Sequence, residues 1–220
     1  MGRHRARVTH PPRRPQAVRA ELMRARLLDA TLECLATTGY GGMSTNDVVR
    51  RARVSRGALA HHYPTKADLV KAAAQRLLEE RARDFRERFS AIDPQRRTPA
   101  EALDVLWSFY DDPSGTALLE LTVAARSYPE LQAVLGPVSD QLAALTAEVF
   151  VEFFPELAEQ PIAEPALRTI HAAFGGLALA ALAHRDEDHI RQVRDFLKLL
   201  VSVADDLPTF LTETTNRSRS

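Results

Sequence analysis

The chain has 220 residues, and 45% of them are hydrophobic, which is enough to bury the core of one or two domains. Its formal net charge is zero, but residues 1–77 carry 15 Lys and Arg against 5 Asp and Glu, whereas residues 78–220 carry 14 against 24. A single cysteine, Cys34, excludes an internal disulfide and argues against a thiolate metal cluster, so we expect it in the core.

The unequal distribution of charge indicates a basic module joined to an acidic body. This arrangement is typical of a nucleic-acid-binding protein with a separate sensing or assembly domain. On its own the pattern leaves chance clustering or a membrane-surface patch open. No run of about 18 uninterrupted apolar residues occurs, and no apolar signal region follows the arginine-rich start. We therefore expect a cytoplasmic protein that does not span a membrane.

Residues 1–20 contain six arginines and three prolines and have almost nothing to bury, which predicts a disordered basic arm. Such an arm can follow the DNA minor groove and add affinity through counterion release; an inert tail is the alternative. A first helix is predicted over 21–38, where leucines recur at helical spacing and Gly39 follows as a C-cap.

Residues 44–66 are predicted to form two short helices joined by a tight turn. Thr45 is a suitable N-cap for the first of them, and its inward stripe consists of Val48, Val49 and Ala52.

The second short helix begins near Ser55, and Leu59 and Tyr63 are its inward anchors. The positions expected to face outward are Arg56, Gly57, Ala58, His61 and His62. Small residues permit close approach to a DNA major groove, and arginine and histidine can reach phosphates or base edges. The spacing alone leaves a surface helical hairpin as an equal alternative.

The run RRARVSRGALAHHY, the helix opened by Thr45 and the following PTK together resemble the DNA-binding domain of the TetR family of bacterial repressors, over roughly residues 20–70. The resemblance implies a buried Tyr63 and contacts to DNA, mostly to phosphates. The residues so implied are Thr45, Ser55, Arg56, Gly57, Ala58, His61, His62 and Lys66. Arg53 departs from the family pattern, because it stands where the turn generally has glycine and would cost about 1–2 kcal/mol in a left-handed conformation. Ala60 stands where a tyrosine often touches the DNA backbone.

Thr65 and Asp68 form a pair like a capping box that starts a long helix reaching about residue 90. Its apolar side contains Leu78, Ala82, Phe85 and Phe89. Five further helices are predicted at 99–111, 114–127, 129–154 with an interruption at Gly136 and Pro137, 163–184, and 188–212 with a break near Pro208. We therefore expect an all-α chain, with a three-helix helix-turn-helix domain at 21–65 and a ligand-binding and dimerisation domain at 66–220.

The last two predicted helices carry apolar residues at alternating spacings of three and four, which are typical of helix–helix seams. These residues are Leu167, Ile170, Phe174, Leu177 and Ala181 on one helix and Ile190, Val193, Leu197, Leu200, Ala204 and Leu207 on the other. A two-fold four-helix bundle with a second copy is the favoured interpretation, and a hairpin that buries both seams on each other is the alternative.

We find no pattern for catalysis or for a cofactor. His184 and His189, with the acids between them, could hold a metal ion, but the segment falls where a helix start favours acids, so no metal site is predicted. Aromatic residues on several helices could line a cavity, although such residues are more often core. The resemblance to the TetR family, whose helical bodies generally enclose an inducer pocket, implies a cavity here. The residues expected to bind a ligand are Phe89, Trp107, Tyr110, Arg126, Phe150, His171 and Phe174.

Together with these patterns, the resemblance to the TetR family implies a DNA-binding transcriptional regulator: a homodimeric, ligand-responsive repressor that binds a palindromic operator and senses a small apolar or amphipathic effector. The alternative is a helical small-molecule-binding or scaffold protein whose basic module contacts an acidic partner other than DNA.

Overall fold

The computed structural model describes the backbone of residues 16–217 and the side chains of residues 18–203. Within this range the chain is all-α, as predicted, and contains no strand. Its helices are α1 (Gln16–Gly42), α2 (Thr45–Ala52), α3 (Arg56–His62), α4 (Lys66–Ser90), α5 (Pro99–Tyr110), α6 (Pro113–Ala124), α7 (Pro129–Phe153), α8 (Pro155–Ala158), α9 (Ala163–Ala183) and α10 (Glu187–Arg217). A short 3-10 turn, Pro94–Arg96, precedes α5.

Helix α1 begins at Gln16, five residues before the predicted start, and residues 1–15, the rest of the predicted arm, lie outside the described residues. Gly39 breaks the helix with φ 67° and ψ 171°, a conformation in which glycine lacks the steric penalty of other residues. The predicted end of the first regular helix is therefore correct, and one more turn leads into α2.

The start of α2 differs from the prediction by one residue. Its N-cap is Ser44 and not Thr45: the Ser44 hydroxyl accepts the Asp47 N–H at 3.2 Å, and the Asp47 carboxylate accepts the Ser44 N–H at 3.3 Å. This capping box needs an acid three residues after the cap, and only Ser44 has one. Arg53 ends α2 with φ 55° and ψ 46°, as the departure from glycine implied.

The predicted cap of α4 is confirmed, since Thr65 and Asp68 form a reciprocal capping box. The interruption predicted at Gly136 and Pro137 is wrong, because α7 runs through Pro137. A proline removes one N–H bond but need not end a helix that is held by packing on either side, and Val134 and Val138 are both buried here. Helix α10 likewise continues through the expected break near Pro208.

Among the side chains that the structure describes, two buried clusters hold the helices together. The first joins α1–α4 to α6 and α7 and contains Cys34, which is 3% exposed as expected of a core residue. The second joins α5, α9 and α10. Helix α1 packs on α6 more extensively than on any other helix, so the basic module and the acidic body share a continuous core.

The second cluster corrects the predicted dimer seam. Ile170, Phe174, Leu177, Ile190 and Leu197 are buried within the protomer, where they pack with Leu103 and Trp107 of α5. Each seam therefore packs against α5 of the same protomer, a partner that the spacing along α9 and α10 does not reveal. Leu200 is 49% exposed, and the side chains of Ala204 and Leu207 lie outside the described residues.

Helices α7 and α9 are long and apolar enough to cross a membrane by length and composition alone. Only 11% and 22% of their most apolar windows are buried within the protomer. The large apolar side chains that are exposed on these helices are Val151 on α7 and Leu179 and Leu182 on α9.

Candidate DNA-binding unit and effector cavity

Helix α3 is a short helix held by few contacts. Leu59 is 7% exposed and belongs to the first cluster, and Tyr63 packs against that cluster, as expected of inward anchors. Tyr63 is only half-buried, however, and not buried as the resemblance implied. The Ser55 hydroxyl accepts the Ala58 N–H at 3.2 Å and caps the helix start. The opposite side of α3 is left facing solvent.

The predicted outward residues divide into two groups. Arg56, Gly57 and His61 are exposed, and a Cβ added at Gly57 would meet no atom within 4 Å. Ala58 and His62 are instead half-buried, because they lie at the edge of the side that carries Leu59. Arg56 forms no ion pair with any described residue, which leaves its charge available to a phosphate.

Thr45 and Ser55 stand at the starts of α2 and α3. Thr45 is half-buried and Ser55 is exposed, and Ser55 directly precedes Arg56 in the chain. Exposed N–H groups at helix starts favour anions such as phosphate.

Lys66 is not the exposed cation that we expected. Its Nζ donates to the Tyr40 carbonyl and lies 3.9 Å from the centre of the Tyr40 ring. Burial lowers the pKa of Lys66, partly offset by the charge of Glu130. The side chain therefore fixes the start of α4 to the segment that precedes α2.

We call Gly39, Tyr40, Lys66, Glu120 and Glu130 the junction cluster. The Tyr40 N–H donates to Glu120 at 3.3 Å, and the Tyr40 hydroxyl donates to Glu130 at 3.2 Å. Burial, reinforced by Glu130, raises the pKa of Tyr40 to about 12. A Cβ on Gly39 would lie 2.5 Å from Glu120 Oε1, so a larger residue there would displace the carboxylate that accepts the Tyr40 N–H. The cluster ties α6 and α7 to the entry of the helix-turn-helix.

A cavity of about 440 Å³ lies in the acidic body and is lined by α4, α5, α6, α7 and α9, with Val201 contributed by α10. Its wall is almost entirely apolar, and its size is within the range of small-molecule sites. Three of the predicted ligand-binding residues line it: Tyr110, Phe150 and His171.

The other four predicted ligand-binding residues do not line this cavity. Phe89 is fully buried against Phe153, with ring centres 4.9 Å apart, and Phe174 is fully buried against Trp107 at 5.4 Å. Arg126 is exposed just after α6. The three aromatic residues are core because neighbouring helices close over them, which the spacing along one helix cannot reveal.

The cavity wall contains a row of hydrogen-bonded polar groups. Tyr110 Oη lies 2.6 Å from His171 Nδ1, and Thr146 Oγ1 lies 3.1 Å from His171 Nε2. Burial lowers the pKa of His171 to about 4, so the imidazole is neutral at pH 7. Burial raises the pKa of Tyr110 to about 12. Thr146 was missed in the sequence, since an isolated threonine in a helix carries no signal.

Arg81 is the charged residue of the cavity wall, and we had not predicted it. Its guanidinium pairs with Asp112 at 2.7 Å, and its side chain is only 13% exposed. Asp112 also caps α6 by accepting the Gly115 N–H at 2.6 Å. A signal was present, because Arg81 lies three residues after Leu78 and four before Phe85 and so shares their apolar side.

The acidic segment between His184 and His189, considered above as a metal site, forms the start of α10. Asp186 Oδ1 accepts the N–H groups of Asp188 and His189, each at 3.0 Å, at the start of α10. The acids there stabilise a helix start.

The fold and the exposed α3 define a helix-turn-helix regulator with a cavity-bearing body, and the comparisons with known proteins agree. Residues 27–73 match the family model described as bacterial regulatory proteins, tetR family. The HTH-type transcriptional regulator CymR of Pseudomonas putida is 30% identical over 186 residues, which cover 84% of this chain and 92% of that protein. An uncharacterised HTH-type transcriptional regulator of Mycobacterium tuberculosis is 33% identical over 131 residues, 60% of this chain and 67% of that protein.

Solved structures show the same fold. A putative TetR-family transcriptional regulator from Rhodococcus sp. superposes with a TM-score of 0.67 at 22% identity, covering 83% of this chain and 98% of that one. A putative transcriptional regulator from Pseudomonas aeruginosa PAO1 gives a TM-score of 0.63 at 25% identity over 86% and 96% of the two chains. The chain belongs to the TetR family and is a DNA-binding transcriptional regulator.

Proposed function

We propose that the protein is a cytoplasmic homodimeric repressor that binds a palindromic operator through α3 and releases it when an apolar or amphipathic molecule fills the cavity. The observation that carries this proposal is the position of α4 and α6. Both helices line the cavity, and both contact the residues next to the helix-turn-helix through Lys66 and Glu120.

For the DNA surface we propose Arg56, Gly57 and His61, together with the starts of α2 and α3 at Thr45 and Ser55. Two copies of α3 must lie about 34–36 Å apart to enter successive major grooves. Ala58 and His62 are half-buried, so we place them at the edge of this surface. Lys66 contributes by holding α4 in place.

For the dimer we propose the uncovered apolar faces of α9 and α10. Leu179 is 44% exposed on α9, and Phe196, Leu200 and Val203 are 58%, 49% and 52% exposed on α10. The α10 residues recur at spacings of four and three, and so form a single stripe. A lipid surface fits poorly, because charged residues such as Arg191 and Asp195 are exposed on the same helix.

Coupling between the cavity and the DNA surface requires a difference in ligand affinity between two states of the dimer. A hundredfold loss of DNA affinity needs about 2.7 kcal/mol of differential binding, and operator DNA must weaken ligand binding by the same factor. The test is a gel shift with DNA flanking the gene, then ligand titrations with and without operator. A ligand that binds both forms equally would defeat the sensing proposal, whereas a failed gel shift on that DNA would point to an operator elsewhere.

A further inference from the structure

The polar row Tyr110–His171–Thr146 is the feature of the cavity that its apolar wall does not explain. The three side chains come from α5, α9 and α7, and all three line the cavity. Burying polar groups in such a wall costs free energy unless they are hydrogen-bonded, and each of the three has at least one partner in the row.

The polar row contains one more hydrogen-bond donor than it has hydrogen bonds. A neutral imidazole carries one N–H, and each hydroxyl carries one O–H, so three donors serve two hydrogen bonds. If Tyr110 donates to Nδ1, then Nε2–H donates to Thr146 and the Thr146 hydroxyl proton is left over. In the opposite tautomer the Tyr110 proton is left over. Neither hydroxyl has a second partner among the described residues, so one O–H donor is free in either case.

The other polar groups of the described wall are less available to a ligand than the polar row. Thr122 also lines the cavity, but its hydroxyl already donates to the Leu118 carbonyl at 3.0 Å. No carboxylate occurs among the described lining residues, and the charge of Arg81 is paired with Asp112. The Nε–H of Arg81 has no hydrogen-bond partner within the described part of the chain, but this atom is itself fully buried. A cationic ligand would therefore find no counter-charge in the wall.

We propose that the cavity binds an apolar molecule that carries one hydrogen-bond-accepting oxygen, a carbonyl or a carboxylate, held by the free hydroxyl of the polar row. This inference rests on the proposed sensing function and specifies the chemistry of the effector. Ketones and carboxylates share the acceptor and differ in charge, so the two can be separated experimentally.

The test uses calorimetric titration of the full-length protein, without DNA, with acetophenone, its hydrocarbon isostere α-methylstyrene, benzoate and benzylammonium. The accepting oxygen should make acetophenone or benzoate bind about tenfold more tightly than α-methylstyrene, the effect of one hydrogen bond. Comparison of acetophenone with benzoate decides between a neutral and an anionic acceptor. Benzylammonium should not bind measurably.

The double variant Tyr110→Phe/Thr146→Val removes whichever hydroxyl holds the free proton, and should bring the affinity ratio of acetophenone to α-methylstyrene close to one. Both affinities in the ratio are measured on the same variant, so a general distortion of the cavity affects both probes and largely cancels. Thr122→Val is the matched control and should leave the ratio unchanged, because its hydroxyl is already engaged.

The inference is overturned if no probe binds, if α-methylstyrene binds as tightly as both oxygen-bearing probes, or if the ratio survives in the double variant. These measurements involve no DNA. A protein that binds acetophenone as expected but keeps its operator would retain the inference and lose the sensing function, so the two failures are distinguishable.

Discussion

Replacing Phe196 with aspartate should dissociate the dimer while leaving each protomer folded. Phe196 is 58% exposed in the isolated protomer. Full burial of a phenylalanine side chain contributes about 1.5–3 kcal/mol, so covering the exposed part contributes about 1–2 kcal/mol per protomer and twice that in a symmetric pair. Two unpaired carboxylates in an apolar interface add a penalty of several kcal/mol. A total loss of at least about 4 kcal/mol raises the dimer dissociation constant about 1000-fold.

Sedimentation velocity over a concentration series measures this change, and circular dichroism checks the fold. Two aspartate variants serve as controls. Val123→Asp changes an exposed residue of α6 outside the proposed interface and should remain dimeric. Leu197→Asp changes the next residue of α10, which is 6% exposed and packs within the protomer, and should lose the fold. A folded Phe196→Asp dimer of unchanged affinity would refute the proposed interface.

The remaining predictions concern DNA binding, backbone strain and pH. Arg56→Ala should reduce the slope of log DNA affinity against log salt concentration by about 1, and an unchanged slope would show that Arg56 does not contact DNA. Lys66→Ala should mainly lower the urea concentration at which half of the protein is unfolded. Arg53→Gly should raise thermal stability by about 1 kcal/mol by relieving the left-handed conformation, whereas Arg51→Gly, in the helix, should lower it by about as much. Burial lowers the pKa of His171 from 6.5 to about 4, so the neutral imidazole contributes fully to the free energy of unfolding above pH 6.5. This contribution should fall by up to about 3 kcal/mol as the pH is lowered to about 4. Urea titrations of the protein and of His171→Gln across this pH range measure the difference.

The helix-turn-helix could be predicted from the sequence because its determinants are local. Capping residues, a four-residue spacing between Leu59 and Tyr63, and the position of Arg53 each act within a turn or two of the chain. The error in its capping, Thr45 in place of Ser44, is a shift of one residue between two adjacent hydroxyls. Only the acid three residues later distinguishes them.

The cavity could not be predicted residue by residue, because core and cavity residues share the same inward side of a helix. Phe150 lines the cavity, while Phe174 fills the space between α5, α9 and α10. Whether an inward aromatic residue lines the cavity or fills the core depends on the distance between helices that are far apart in sequence. The dimer seam was misplaced for the same reason: Leu197 and Leu200 lie on neighbouring stripes of α10, and α5 covers one stripe and leaves the other exposed.

Helix α6 shows how one element can serve both the cavity and the helix-turn-helix. Leu118 and Leu119 line the cavity, whereas Ala117 and Leu121, both 0% exposed, pack in the cluster that contains α1. A close-packed interface of this kind cannot absorb a displacement by compression, so a ligand that moves the cavity face of α6 must move α1 or open a void beside Leu121. Opening a void costs free energy, and moving α1 changes the junction cluster that leads into α2. The proposed coupling requires the second response, because a movement of α1 is the one that reaches the DNA-binding surface.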